Sequence, residues 1–256
     1  MGGHGRCPPT RLLWGCNMPK ERLDKIIASQ TSFSRKDARN LIKDGVVSVN
    51  GVLLEDCDRI IEPERDCVEL FGKPFAIKKF IYIMLNKPAG VLSAAKDVRA
   101  KTVLDLIPES LYRRGIAPSG RLDKDTTGFL LITDDGEFSH KILSPKNHVF
   151  KTYEARLAKA IDTATLKGLE SGIDLADGTR CLPAFTELVE DGDQPLVSIR
   201  IREGKYHQIK RMFAALGNQV NALKRVQIGG LALDPALPEG ACRELTCEEV
   251  ALICDG

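Results

Sequence analysis

Four carboxylates, Asp123, Asp125, Asp134 and Asp135, crowd the stretch from Pro118 to Gly136. Carboxylates this close can hold a divalent cation, or one of them can act alone as nucleophile or base. A calcium loop would take Asp123 at its first position, Asp125 at its third, Thr127 at its fifth and Gly128 at its sixth. Its last position would then fall on Asp134 instead of a bidentate Glu. The flanks are also wrong, because Phe129 to Thr133 reads as a buried strand and not as a helix. No metal site is expected here. The eight cysteines (Cys7, Cys16, Cys57, Cys67, Cys181, Cys242, Cys247, Cys254) are dispersed and form no C-x-x-C pair, which argues against a zinc site and a disulfide scaffold. A second concentration of chemistry lies further on. Arg200, Arg202, Lys205, Lys210, Arg211, Lys224 and Arg225 face the single acid Glu203, a balance suited to a polyanion. His207, between Tyr206 and Gln208, reads as a hydrogen-bonding or ligand-contact residue more readily than as a general base.

Positioning these groups requires a scaffold. Strands are predicted at 80–85, 128–133, 151–157, 196–202 and 225–233, and helices at 137–143, 162–169 and 206–216. The first of these strands runs into a turn at Asn86-Lys87-Pro88-Ala89-Gly90. Strands outnumber helices without a βαβ rhythm, which predicts an α+β fold with a mixed, largely antiparallel sheet. A smaller module precedes it. Leu23, Ile26 and Ile27 recur at helical spacing, and Ser34 with Asp37 signals the start of a second helix. Asn50-Gly51, between Val46–Val49 and Val52–Leu54, predicts a type I′ hairpin. The helical cations Arg22, Lys25, Arg35, Lys36, Arg39 and Lys43 give this module a positive face. Residues 66–79 read as its tail and a linker, punctuated by Phe71-Gly72-Lys73-Pro74.

With 256 residues, 43% hydrophobic and 28% charged, the chain is ordinary globular material for one or two domains. A net charge of +2 excludes a uniformly basic coat but not a local basic face. No apolar run is long enough to span a membrane, and no signal-peptide pattern is evident; a reduced, cytoplasmic protein is expected, by default a monomer. Residues 1–19, rich in Gly, Pro and unpaired Cys, are expected to be a disordered extension.

RLDKIIASQ followed by SRKDARNLIKDGVVSVNG resembles the S4-type RNA-binding domain, placed at 20–76. The resemblance implies that Arg35, Lys36, Arg39 and Lys43 meet RNA phosphates. The remainder, 77–256, resembles a catalytic domain of another kind. GRLDKDTTGFLLITDDG is similar to the signature of the pseudouridine synthases, in the branch that modifies ribosomal RNA, with Phe129 where the family usually has Leu. It implies Asp123 as the catalytic residue, with Arg121 and Leu122 beside it in the substrate pocket. Lys151-Thr152-Tyr153 resembles the family's K-x-Y motif, whose tyrosine stacks on the target base. REGKYHQIKRMF resembles a third motif, in which Lys210 pairs with the catalytic Asp; lysine there is a feature of the small-subunit branch. Leu223 matches an apolar pocket residue, and Asn86-Lys87-Pro88 the start of the catalytic domain. Lys205, Arg211 and Arg225 are expected to contact RNA.

The resemblance implies isomerisation of uridine to pseudouridine in rRNA, chiefly of the small subunit, without cofactor or metal. Naked rRNA and an assembly intermediate are both open as substrate. A large-subunit enzyme of the same family, or a non-catalytic RNA-binding assembly protein, are the alternatives.

Overall fold

The computed structural model describes residues 18–254, so the expected extension falls outside it up to Asn17, with Cys7 and Cys16. The chain divides into two compact units. Among the described residues, one contains 18–81 together with Pro108–Ile116; the other contains Tyr82–Ile107 and 117–254.

In the first unit, the helices Leu23–Gln30 and Arg35–Lys43 pack on a four-stranded antiparallel sheet. Leu23, Ile26, Ile27, Ala38, Ile42, Val47 and Ile61 fill the core between them. Ser34 accepts from the Asp37 amide while the Asp37 carboxylate accepts from the Ser34 amide, the reciprocal cap that the spacing predicts. Asn50 (φ 53°) and Gly51 (φ 80°) both lie in the left-handed region, as a type I′ turn demands. Residues 66–79 do form the module's tail, but with strands the sequence reading left out: Val68–Leu70 and Lys73–Pro74 make a hairpin that turns at Phe71-Gly72 and pairs with Val47–Val49, while 75–79 carry no strand or helix. Gly-Pro punctuation marks a turn whether or not strands flank it, and here buried Val68 commits the segment to the sheet.

The second unit is built on one nine-stranded sheet, mixed but largely antiparallel. Its backbone order runs Phe185–Glu190, Leu196–Ile201, Lys151–Leu157, Val220–Ile228, Thr127–Thr133, Tyr82–Lys87 and Cys242–Glu244. The strand at its start runs through Lys87 instead of turning at Asn86, with all of its residues buried. Phe185–Glu190, Cys242–Glu244 and the helix Cys247–Cys254 carry no clear period and escape the sequence reading.

The one parallel pairing among the described strands, Thr127–Thr133 against Val220–Ile228, sets the site. It brings the loop ahead of Thr127 alongside the strand that carries Leu223. Gly128 makes the approach possible: its φ is +98°, and a Cβ there would lie 2.2 Å from the Arg225 carbonyl oxygen. Substituting Gly128→Ala is expected to cost about 2–6 kcal/mol, combining roughly 1–3 for the forced backbone with roughly 1–3 for overpacking. Thermal melting reads this out at roughly 2–4 °C per kcal/mol. An unchanged melting temperature would contradict the close approach. No helix among the described residues is long and apolar enough to cross a membrane.

Candidate active site

The loop 119–126 is held from both sides. Ser93 Oγ donates to the Leu122 carbonyl at 2.9 Å and accepts from the Leu122 amide at 3.1 Å. Beneath the loop, fully buried Lys87 donates from Nζ to the carbonyls of Pro88, Lys124 and Thr126, at 3.0, 3.3 and 2.9 Å. Burial pulls its pKa down to about 8, opposed by the charges of Asp125 and Asp123. Three carbonyl acceptors satisfy its donors without a partner carboxylate in contact.

From the other side comes the helix Gln208–Ala215. Its first turn is set by Glu203, whose buried carboxylate accepts from the Leu182 amide (2.9 Å), Lys205 Nζ (2.6 Å) and Gln208 Nε2 (2.8 Å). Gln208 Oε1 in turn accepts from the Lys205 amide. This knot delivers Lys210, whose Nζ lies 3.3 Å from Asp123 Oδ2 and 2.6 Å from Asp125 Oδ1. Burial alone would pull the Lys210 ammonium down, but the Asp125 hydrogen bond and the Asp123 charge outweigh it and raise its pKa. The same hydrogen bond lowers the pKa of Asp125 more than its partial burial raises it. His207 Nε2 stands 3.6 Å from the other Asp123 oxygen. Asp123 is thus flanked by a fixed cation and an imidazole.

These groups open onto a cleft of about 400 Å³, counted to its open mouth. Arg121, Leu122, Asp123, Tyr153, Lys205 and Leu223, all singled out in the sequence, line it together. Thr126, Ile201, Gly204, Gln208 and Ile209 also line it and were not foreseen; apolar or uncharged residues within a motif give no separate signal of a pocket. Asp125 was noticed as a carboxylate but not as the second partner of Lys210.

Tyr153 is buried on the strand Lys151–Leu157. Arg225 corrects the sequence reading: it is only 4% exposed and cannot serve as a surface contact to RNA. Its Nε donates to the Phe129 carbonyl at 2.7 Å and its Nη1 to the Tyr153 hydroxyl at 3.4 Å, so it braces the aromatic ring from behind. Lys151 is likewise internal, donating to the carbonyls of Ile142 and Val149; burial and the Arg225 charge pull its pKa down to about 8. Arg211 lies outside the cleft lining, paired with Asp177 at 2.5 Å.

In the first unit, fully buried Asp24 gathers three guanidinium groups: Arg22 at 2.9 Å, Arg35 at 3.2 Å and Arg39 at 3.1 Å. Lys36 and Lys43 are exposed on the same helix. Burial pushes the Asp24 carboxyl up, but the three arginines outweigh that and lower its pKa. A depressed native pKa contributes stability that is present above the unfolded value near 4 and is lost as pH falls through the native one. The first unit is therefore expected to loosen below about pH 4. In Asp24→Asn that acid sensitivity weakens, while stability at pH 7 drops by up to ~3–5 kcal/mol. Acid titration followed by circular dichroism compares the two; identical acid profiles would exclude Asp24 as the cause.

Comparison with known proteins identifies the family of the chain. The sequence profile described as RNA pseudouridylate synthase matches residues 81–215. The Bacillus subtilis (strain 168) protein named uncharacterized RNA pseudouridine synthase YtzG is 44% identical over 233 residues, covering 91% of this chain and 98% of its own. Proteins named ribosomal small subunit pseudouridine synthase A are similarly close. The one from Vibrio cholerae is 42% identical over 233 residues, covering 91% of this chain and 99% of its own. The one from Escherichia coli K12 is 40% identical over 236 residues, with the same coverage of 91% and 99%. A crystal structure of a pseudouridylate synthase superposes with a TM-score of 0.63 at 36% identity, covering 91% of this chain and 99% of that one. Aligned along nearly its whole length with such relatives, the chain belongs to the RNA pseudouridine synthase family.

Proposed function

We propose that this enzyme converts uridine to pseudouridine in small-subunit ribosomal RNA, with Asp123 as the catalytic carboxylate and no cofactor. The observation that carries the reading is Asp123 in the cleft wall, 3.3 Å from Lys210, in a cleft that Tyr153 also lines. The names of the relatives support the choice of RNA, and so does lysine at position 210, which the motif resemblance ties to the small-subunit branch.

The reaction breaks the bond from the ribose to the base nitrogen, turns the uracil and rejoins it through carbon; the proton that leaves that carbon is balanced by one taken up at the freed nitrogen. Product and substrate are isomers, so no electron acceptor enters the balance. An ionised Asp123 can attack the ribose anomeric carbon, attack the base ring or remove a ribose proton, and in each route the Lys210 ammonium stands 3.3 Å from the reacting carboxylate. Tyr153, braced by Arg225, offers a fixed aromatic face for the detached uracil. The target nucleotide leaves its stack to enter the cleft.

The first unit is read as an S4-type RNA-binding domain. Arg35, Lys36, Arg39 and Lys43 meet phosphates, positioning the RNA without reading its sequence and with an affinity that falls as salt rises. We place the enzyme in the cytoplasm, acting as a monomer on rRNA or on an assembling small subunit.

Carbodiimide modification followed by primer extension, on small- and large-subunit rRNA transcripts with and without enzyme, tests the proposal. A single new stop in the small-subunit RNA is expected. A stop in the large-subunit RNA alone would retain the chemistry and overturn the choice of RNA. Silence on both transcripts and on small-subunit assembly particles would overturn the function.

A further inference from the structure

Tyr206 is 76% exposed, an unusual position for a large aromatic side chain with no core to fill. Its ring is nevertheless ordered by a neighbour: it stacks on the His207 imidazole with centroids 3.9 Å apart and planes 17° from parallel. The backbone that makes this possible is costly, because His207 adopts φ 48° and ψ 33°, a conformation non-glycine residues seldom take. The flanking turn is fixed by Glu203 and Gln208, both buried, and Arg211 Nη1 donates to the Tyr206 carbonyl at 3.4 Å. The inner member of the stack lines the cleft, with Nε2 3.6 Å from Asp123 Oδ1. Lys205, on the other side of Tyr206, also lines the cleft. A rigid aromatic pair therefore starts at the catalytic carboxylate and ends in an open π-face bordered by cations.

We propose that the Tyr206–His207 stack is a platform for an unpaired base adjacent to the target uridine in single-stranded RNA. The proposal rests on the function argued above and adds a subsite to it. When the target uridine enters the cleft toward Tyr153, its neighbour loses a stacking partner, and the outer face of Tyr206 replaces it. Stacking on an aromatic side chain is tolerant of base identity, so the platform contributes affinity and placement and leaves sequence choice to other contacts. Its contribution falls mainly on substrate capture, because no atom of Tyr206 reaches the cleft.

Tritium release from a small-subunit rRNA transcript labelled at uridine C5 measures the effect. Tyr206→Ala is expected to lower kcat/KM by roughly tenfold to a hundredfold, the scale of one lost base stack, with kcat at saturating RNA changed only a few-fold. Tyr206→Phe and Tyr206→Trp restore what alanine loses, because the ring and not the hydroxyl acts. Undiminished kcat/KM in Tyr206→Ala, or equal loss in Tyr206→Phe, would overturn the proposal. So would a lowered melting temperature of Tyr206→Ala, which would make the ring a structural element. An independent readout uses Tyr206→Trp in a Trp14→Phe background, where adding the same RNA is expected to quench indole emission. Absence of quenching with bound RNA overturns the platform. Wild-type enzyme inactive on rRNA, with the Tyr206→Trp variant still quenched by the same RNA, would instead sink the proposed function and leave the stack standing.

Discussion

Asp123→Asn is expected to abolish pseudouridine formation, by ~10⁴-fold or more, while leaving RNA affinity within a few-fold of wild type. Asparagine nearly matches aspartate in shape, and the loop that carries it is held by backbone contacts from Ser93 and Lys87 that do not involve the carboxylate. Lys210 keeps its shorter contact to Asp125, so the helix stays docked. What the substitution removes is the negative charge, and with it the nucleophilicity and basicity needed to attack carbon or take a proton. Removing a charge from a basic cleft does not weaken polyanion binding. Tritium release and filter binding on the same transcript separate the two effects. Residual turnover near the wild-type rate would move catalysis to another group and end the assignment. Loss of binding in parallel with activity would mean that the loop had collapsed, which a melting curve checks.

Much of this site was legible in the residues because its signals are local. The segment from Gly120 to Gly136 carries its loop, its glycine and its buried strand in one continuous run, and the Ser34 cap and the Asn50-Gly51 turn are read from neighbours in sequence. Arg225 was misread for the opposite reason. Arg225 stands at the start of the predicted strand 225–233 among other cations, but the strand begins at Val220, so Leu223 and Arg225, two residues apart, share its buried face; the acceptor that satisfies Arg225, the Phe129 carbonyl, is distant in sequence. Arg35 and Arg39 present the same difficulty in milder form. Their charges are plain in the sequence, but their convergence on Asp24 depends on how one helix packs on another. The hairpin at 68–74 was lost because two short strands around a turn carry too few residues to show a period. Long-range register, burial of charge and very short strands are the parts that only three-dimensional packing supplies.

Lys210→Met is expected to lower kcat by ~10²–10³-fold, the scale seen when one preorganised charge is removed from a reaction centre. The ammonium touches both Asp123 and Asp125, and its side chain is only 24% exposed, so its charge acts on the carboxylates more than on passing phosphates. Methionine keeps the stem and its packing but leaves two carboxylates near each other without a cation. Lys210→Arg preserves the charge and offers a fork that can reach both oxygens, so it recovers most of the rate. Because the pKa of Lys210 is raised, it stays protonated across neutral and mildly alkaline pH; a decline in rate between pH 7 and 9 must then arise elsewhere. Asp125→Asn completes the comparison. If Asp125 only shares the ammonium, its loss concentrates the charge on Asp123 and the double variant with Lys210→Met is no worse than Lys210→Met alone. Full kcat in Lys210→Met would show that Asp123 needs no fixed cation. Arginine as inactive as methionine would show that placement of the ammonium, and not its charge, is what the helix Gln208–Ala215 delivers.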